Sequence, residues 1–232
     1  MKFNILGVTL ARGGSKAIKN KNITLIDGKP LIYFTINEAK KSKFLTNYIV
    51  STDNINIKKI SSKYGAETPF LRPKKYSKDK SSSAEALKHA LITSEKIYKK
   101  KFHYVIEIMN TNPLKTYKDI DKVIGLILKK KADSVIAVNQ LFDHHPTRIK
   151  KIIKGKLFDF SVKEKLESRR QDLKPLAYIR SGSIYAMSRR FVLKNKRYVS
   201  SKSIPYIMPP ERVINIDTVE DLHVAKLRIN EK

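Results

Sequence analysis

The run Ile5-Leu6-Gly7-Val8-Thr9-Leu10 is apolar with no alternation, so a strand built from it has no face left for solvent. Only the middle of a sheet covered on both sides accepts such a strand, which points to a parallel α/β sheet. Similar short runs return at 47–52 (NYIVST), 103–109 (HYVIEIM) and 134–138 (SVIAV). Between them lie segments of helical periodicity. One begins near Pro30, with Leu31, Phe34, Thr35, Ala39 and Leu45 as its apolar stripe. Others cover 55–64, 84–99 and 120–130. Strand and helix alternating at this spacing predict a mostly parallel sheet with helices on both faces. Segments 67–71 and 213–216 read as further short strands. Asp53 is expected to cap the helix over 55–64, and Thr218 with Asp221 the terminal helix. Ligand sites in such sheets lie beyond the carboxyl ends of the strands. Arg12, the segment 110–115 and Asp217 all fall at such ends.

The first strand runs into TLARGGSKAIKNKN at 9–22. Adjacent Gly13 and Gly14 let backbone N–H groups approach an anion closely. Arg12, Lys16, Lys19 and Lys21 supply opposing charge, and a guanidinium holds phosphate oxygens in pairs. The pattern suits a triphosphate, although a solvated basic turn has the same composition. It is neither a Walker A loop nor the dinucleotide Gly-x-Gly-x-x-Gly.

The chain has 232 residues, enough for one α/β domain spanning 1–232. It has no cysteine, which excludes disulfides and thiolate metal sites. No apolar run approaches the roughly 20 residues of a membrane span, and the first strand follows the N-terminus too closely for a signal peptide. A soluble, cytoplasmic protein is expected. The net charge of +28 would suit nucleic acid. Lysine is spread along the whole chain, however, with no arginine-and-aromatic patch of the kind that reads bases. Codon bias accounts for such usage, with some attraction of anionic substrates alongside it, and nucleic acid is not expected as a partner. Near 143 the pattern changes: Lys154-Gly155-Lys156 marks the tip of a two-stranded ribbon. His144 and His145, as strand neighbours, would point to opposite faces and make a poor metal pair.

Ala11-Arg12-Gly13-Gly14-Ser15-Lys16 followed by Lys21-Asn22 resembles the signature of the CMP-sialic acid synthetases. These cytidylyltransferases activate nine-carbon 2-keto sugar acids such as sialic and legionaminic acid. Further matches follow in the family's order: Leu71-Arg72-Pro73 with Ser83, then Thr111-x-Pro113-Leu114, His144-His145-Pro146, Arg170-Gln171, and Arg180 with Gly182, Ile184 and Tyr185. Departures are Met109 for glutamine, Lys115 for arginine, Ser181 for asparagine and Asn215 for aspartate.

The resemblance implies a three-layer, mostly parallel, nucleotide-diphospho-sugar transferase-like (Rossmann-like) fold. A protruding dimerisation arm over about 143–182 would make the protein a homodimer. It implies transfer of CMP from CTP to the anomeric hydroxyl of the sugar acid, with release of pyrophosphate. Arg12, Lys21 and Asp217 would be catalytic. Gly13, Ser15, Lys16, Asn22, Arg72, Ser83, Thr111, Arg148, Arg170, Gln171, Arg180 and Tyr185 would bind substrates. Mg²⁺ (or Mn²⁺) would be held by Asp217, with Asn215 able to assist through its amide oxygen or a bound water. Two other readings stand beside this one: a same-fold nucleotidyltransferase for another sugar, and a catalytically weak relative binding an anionic polymer.

Overall fold

The computed structural model describes residues 3–15, 17–163 and 169–230. The chain opens with β1 (Ile5–Leu10), the small hairpin β2 (Leu25–Ile26) and β3 (Lys29–Pro30), and α1 (Leu31–Lys41). There follow β4 (Asn47–Ser51), α2 (Ile55–Lys63), α3 (Ser83–Ile97) and β5 (Tyr104–Ile108). Next come α4 (Tyr117–Lys130), β6 (Ser134–Gln140), and the ribbon of β7 (Lys150–Ile153) and β8 (Lys156–Asp159). The chain closes with β9 (Tyr178–Ser188), α5 (Arg189–Lys194), β10 (Ser203–Ile207) and α6 (Val219–Asn230).

The central sheet has the order β10-β6-β9-β5-β1-β4. β1 is parallel to both β4 and β5, and β10 to β6, while β9 enters antiparallel between β5 and β6. Every residue of β1 except Leu10 is buried, as its unbroken apolarity requires. Alternate side chains feed opposite layers. On one face Ile32 and Ile36 of α1 and Ile120, Val123 and Ile127 of α4 pack on Ile5, Val50 and Ile106. On the other, Leu87 and Leu91 of α3 and Phe191 of α5 pack on Leu6, Val8 and Val105. A third cluster, with Ile18, Leu31, Leu114, Ile214, Ile216 and Ala225, ties the glycine loop to the C-terminal segment. The three-layer, mostly parallel architecture expected from the alternation is therefore the one observed.

Several local expectations change. Asn54, not Asp53, caps α2, accepting from the N–H groups of Asn56 and Ile57 at 2.9 and 3.1 Å. Asp53 turns away to the glycine loop. Segment 67–71 makes only two isolated bridges, Ile49 to Glu67 and Thr52 to Leu71, because Pro69 lies between them and has no N–H for a ladder. Segment 213–216 forms no strand. It follows a 3₁₀ turn at Pro210–Arg212, and Ile214 and Ile216 spend their apolarity on the third cluster instead. In α1 the buried stripe is Leu31, Ile32, Thr35, Ile36 and Ala39. Phe34 is only partly buried, and Leu45 lies beyond the helix.

Helix α4 begins at Tyr117, earlier than its apolar pattern alone indicates, because Thr116 and Asp119 form a capping box. Within 143–182, Tyr178, Ile179 and Arg180 pair with Gln140, Asn139 and Val138 of the central sheet. No helix among the described residues is long and apolar enough to cross a membrane.

Candidate active site

A cleft of about 510 Å³ opens where the carboxyl ends of β1 and β5 meet the start of α3. It is lined by Arg12, Ser15, Lys21, Asn22 and Asp217, by Arg72, Tyr76 and Ser81 to Ser83, and by Glu107, Met109, Asn110 and Thr111. Residues distant in sequence are brought together by the parallel crossing of β1 and β5, in which Val8 stands opposite Glu107.

The glycine loop is held by its own backbone and by neighbours. Ala11 donates to the Ser51 carbonyl at 3.0 Å, carrying the β1–β4 ladder one residue further. Asn22 is nearly buried; its amide donates to the Arg12 carbonyl at 2.8 Å and its oxygen accepts from Asn110 at 3.0 Å. Its side chain thus braces the loop while lining the cleft. Gly13 does not line the cleft, and its N–H donates to Asp53 at 3.0 Å. A Cβ there would meet the Asn54 side chain at 2.8 Å, so close packing on α2's cap is what demands glycine. Lys16 lies outside the described residues.

Three cations of the cleft, Arg12, Lys21 and Arg72, are held by neighbours. Arg12 Nη1 lies 3.0 Å from Asp79. Lys21 donates to Asp217 at 3.0 Å and to the Ile216 carbonyl at 2.8 Å, pinning the C-terminal segment to the loop. Arg72 is 4% exposed; its Nε donates to Ser77 at 3.0 Å and its Nη2 is 3.9 Å from Asp53. Burial pushes its pKa down, Asp53 and Glu107 pull it back, and Arg12 depresses it further.

The C-terminal edge is built with equal care. Asp119 accepts from Arg212 at 2.9 and 3.0 Å, from Tyr206 at 2.8 Å and from Thr116 at 2.9 Å. Burial pushes this carboxyl up, but the Arg212 pair and the Thr116 and Tyr206 bonds outweigh it and hold it below the usual range. From that anchor the chain runs to Asn215, whose amide nitrogen hydrogen-bonds the Asp217 carboxylate. Alternation had placed these two side chains together, and so they are, without a strand. Gly182 has φ +59, and a Cβ on it would meet Asn215 Oδ1 at 2.9 Å. Lys115 is 1% exposed and donates to Thr35, Met109 and Asn112 at 2.6–2.7 Å. It fixes the loop after β5 to α1.

Some predicted residues stay apart. Arg148, Gln171 and Arg180 do not line the cleft; the first two lie in 3₁₀ turns flanking the ribbon. Arg170 shares the second turn, and its side chain is outside the described set. Tyr185 is a core residue, 3% exposed, packed on Tyr198, with its hydroxyl accepting from the Gly182 N–H at 3.3 Å. It does not line the cleft. Conversely, Asp53, Tyr76, Asp79 and Glu107 were missed. Only Glu107 had a signal: it is the one charge inside the buried run 104–108.

Asp217 is a half-open carboxylate at the mouth of the cleft. Among the described residues no three His, Cys, Asp or Glu side chains gather as a metal cage. A hard cation that keeps waters and takes phosphate oxygens needs only one or two carboxylates. Asp217 fits that demand, and Asn215 as placed offers it a donor.

Fold and cleft together define a nucleotide-binding α/β transferase. The family model described as cytidylyltransferase matches residues 6–223. The chain is 30% identical to "Post-translational flagellin modification protein B" of Campylobacter coli, over 98% of this chain and 96% of that protein. It is 28% identical to the CMP-N,N'-diacetyllegionaminic acid synthase of Campylobacter jejuni, with the same coverage. Among solved structures it is similar to a CMP:2-keto-3-deoxy-manno-octonic acid synthetase complexed with CTP. That likeness has TM-score 0.71 and 14% identity, covers 98% and 99% of the two chains, and concerns the fold. The chain belongs to the cytidylyltransferase family and is a nucleotidyltransferase.

Proposed function

We propose that the protein transfers CMP from CTP to the anomeric hydroxyl of a nine-carbon 2-keto sugar acid of the sialic or legionaminic type. The observation that carries this reading is the lining of a single cleft, in which Arg12, Lys21 and Asp217, suited to a triphosphate, are brought together with Arg72 and Ser83, suited to a nucleoside. The anomeric oxygen attacks the α-phosphorus in line, the bond from that phosphorus to the bridging oxygen breaks, and pyrophosphate leaves. Arg12 and Lys21 stabilise the charge that builds on the phosphates and on the leaving group. Mg²⁺ or Mn²⁺ at Asp217 supplies charge neutralisation on phosphate oxygens. The enzyme works in the cytoplasm on small, anionic substrates.

Pyrophosphate release tests this directly, with CTP, ATP and GTP against a panel of keto sugar acids. Turnover is expected with CTP and one nine-carbon acid, and it should stop when EDTA removes divalent cations. Equal use of a purine triphosphate would sink the cytidylyl assignment. Turnover only with an eight-carbon acid would move the protein to another substrate class.

The ribbon supports a homodimer. Ile152 is 74% exposed and Leu157 68%, on a two-stranded sheet separate from the main one, and Phe160 just beyond it is 60% exposed. An isolated hairpin of that kind has little stability of its own in water, and an isologous contact would cover it. A partner's ribbon is also where Arg148, Arg170 and Gln171 would reach a sugar acid. Light scattering at micromolar concentration should give the mass of two chains; a monomer would overturn this arrangement.

A further inference from the structure

The reaction just described makes no use of Glu107. It lies in β5, is 3% exposed, and lines the cleft beside Leu10, Ala86 and Met109. Its Oε2 is buried and has no hydrogen-bond partner. An acceptor left so is destabilising, and native interiors rarely keep one without a use. The charges around it do not close the gap. Arg72 is committed to Ser77 and stands by Asp53. Arg180 acts on Glu107 electrostatically from β9. The Tyr198 hydroxyl stands close to both Glu107 and Ser83 and interacts with each, but it meets full hydrogen-bond geometry with neither.

Position decides what the carboxyl would meet. Arg12, Lys21 and Asp217 supply the charge suited to phosphates, which leaves Ser83, Ala86 and Glu107 of the same cleft for the nucleoside. Apolar Leu10, Ala86 and Met109 beside Glu107 suit the faces of a flat ring. The nucleoside of CTP carries neutral donors, an exocyclic amine on the base and hydroxyls on the ribose. A carboxylate is a fitting acceptor for the amine of cytosine.

We propose that Glu107 is a specificity residue that reads the nucleoside, accepting a hydrogen bond from the cytosine amine or from the ribose 2′-hydroxyl. This rests on CTP being the nucleotide. Uracil carries a carbonyl where cytosine has its amine, so an amine contact also rejects UTP. Burial pushes the Glu107 carboxyl up to about 7, against the pull of Tyr198, Arg72 and Arg180. A ligand donor would favour its ionised form.

The test is calorimetric titration of CTP, UTP and 2′-deoxy-CTP into the wild-type protein, Glu107→Gln and Glu107→Leu, with thermal melts of each. Glu107→Leu should weaken CTP roughly ten- to a hundredfold, the range for one hydrogen bond to a charged group. Glu107→Gln should lose less, since its amide oxygen still accepts. If the amine is read, Glu107→Leu loses the preference for CTP over UTP and keeps that over 2′-deoxy-CTP; if the 2′-hydroxyl is read, the reverse holds. Either result supports the proposal. Unchanged CTP affinity in both variants, or an equal loss for all three nucleotides, overturns it. Should Glu107→Leu fail to fold, the isosteric Glu107→Gln decides by the same ratios. A wild-type protein that binds no CTP would overturn the cytidylyl reading itself, and that outcome is distinct from all of these.

Discussion

Arg12→Ala lowers turnover by about a hundredfold or more, the usual effect of removing one preorganised donor to developing charge. The side chain leaves β1's end and enters the cleft opposite the start of α3. Its ion pair with Asp79 joins two exposed partners, with side chains 35% and 49% accessible. A pair so exposed contributes only about 0–1 kcal/mol to stability, so melting should barely move. Arg12→Lys should restore part of the turnover, because an ammonium cannot hold two phosphate oxygens in a planar fork. Steady-state pyrophosphate release alongside thermal melting separates the cases. A variant that melts several degrees lower with near-normal turnover would make Arg12 structural. Normal turnover with unchanged melting would remove the triphosphate from the glycine loop.

Asp119→Ala has the opposite signature: it destabilises the fold by about 3–5 kcal/mol, as expected when one partner of a buried ion pair is deleted. The carboxylate is fully buried. Its removal strips Arg212 of two hydrogen bonds, Tyr206 of one and α4 of its capping box. Arg212 is also where Asn112, in the loop after β5, is bound through the Arg212 carbonyl at 3.0 Å. Loosening it frees the segment that carries Asn215 and Asp217, so turnover falls even at temperatures where the variant remains folded. Urea titration gives the stability and low-temperature assays give the activity. A loss below about 1 kcal/mol would show that the pair is no better than the hydrophobic contacts that could replace it.

The two variants differ because the cleft has two kinds of wall. The glycine loop is legible in the sequence, since a strand with no polar face must end at a ligand-binding edge and its cations follow at once. Asp119 lay just before the helix read over 120–130 and was not singled out. Nothing local to KDID at 118–121 says that Arg212, ninety-three residues away, will meet it. Asp53 shows the same limit at short range. Beside Asn54 it was an equally good cap by residue type, and which one turned to α2 was settled by where the other was needed, at the Gly13 N–H.

Tyr185 shows the limit of a motif: the antiparallel entry of β9 sets its side chain in the core cluster with Leu6, Val8 and Val105. Segment 213–216 had strand composition, but a strand needs a neighbour with free N–H and C=O groups. Here one backbone bond, Ile216 N–H to the Thr111 carbonyl, takes that place.

By itself the sequence determined the layers, the parallel core and the anion-ready loop, because each follows from which side chains water must not touch and where glycine and charge occur. The tertiary structure alone decided the antiparallel place of β9, the anchoring of the C-terminal segment at Asp119, and the exposure of Glu107 to the cleft. Those depend on pairings between groups far apart in the chain, whose energies exist only once the strands have brought them within hydrogen-bonding distance.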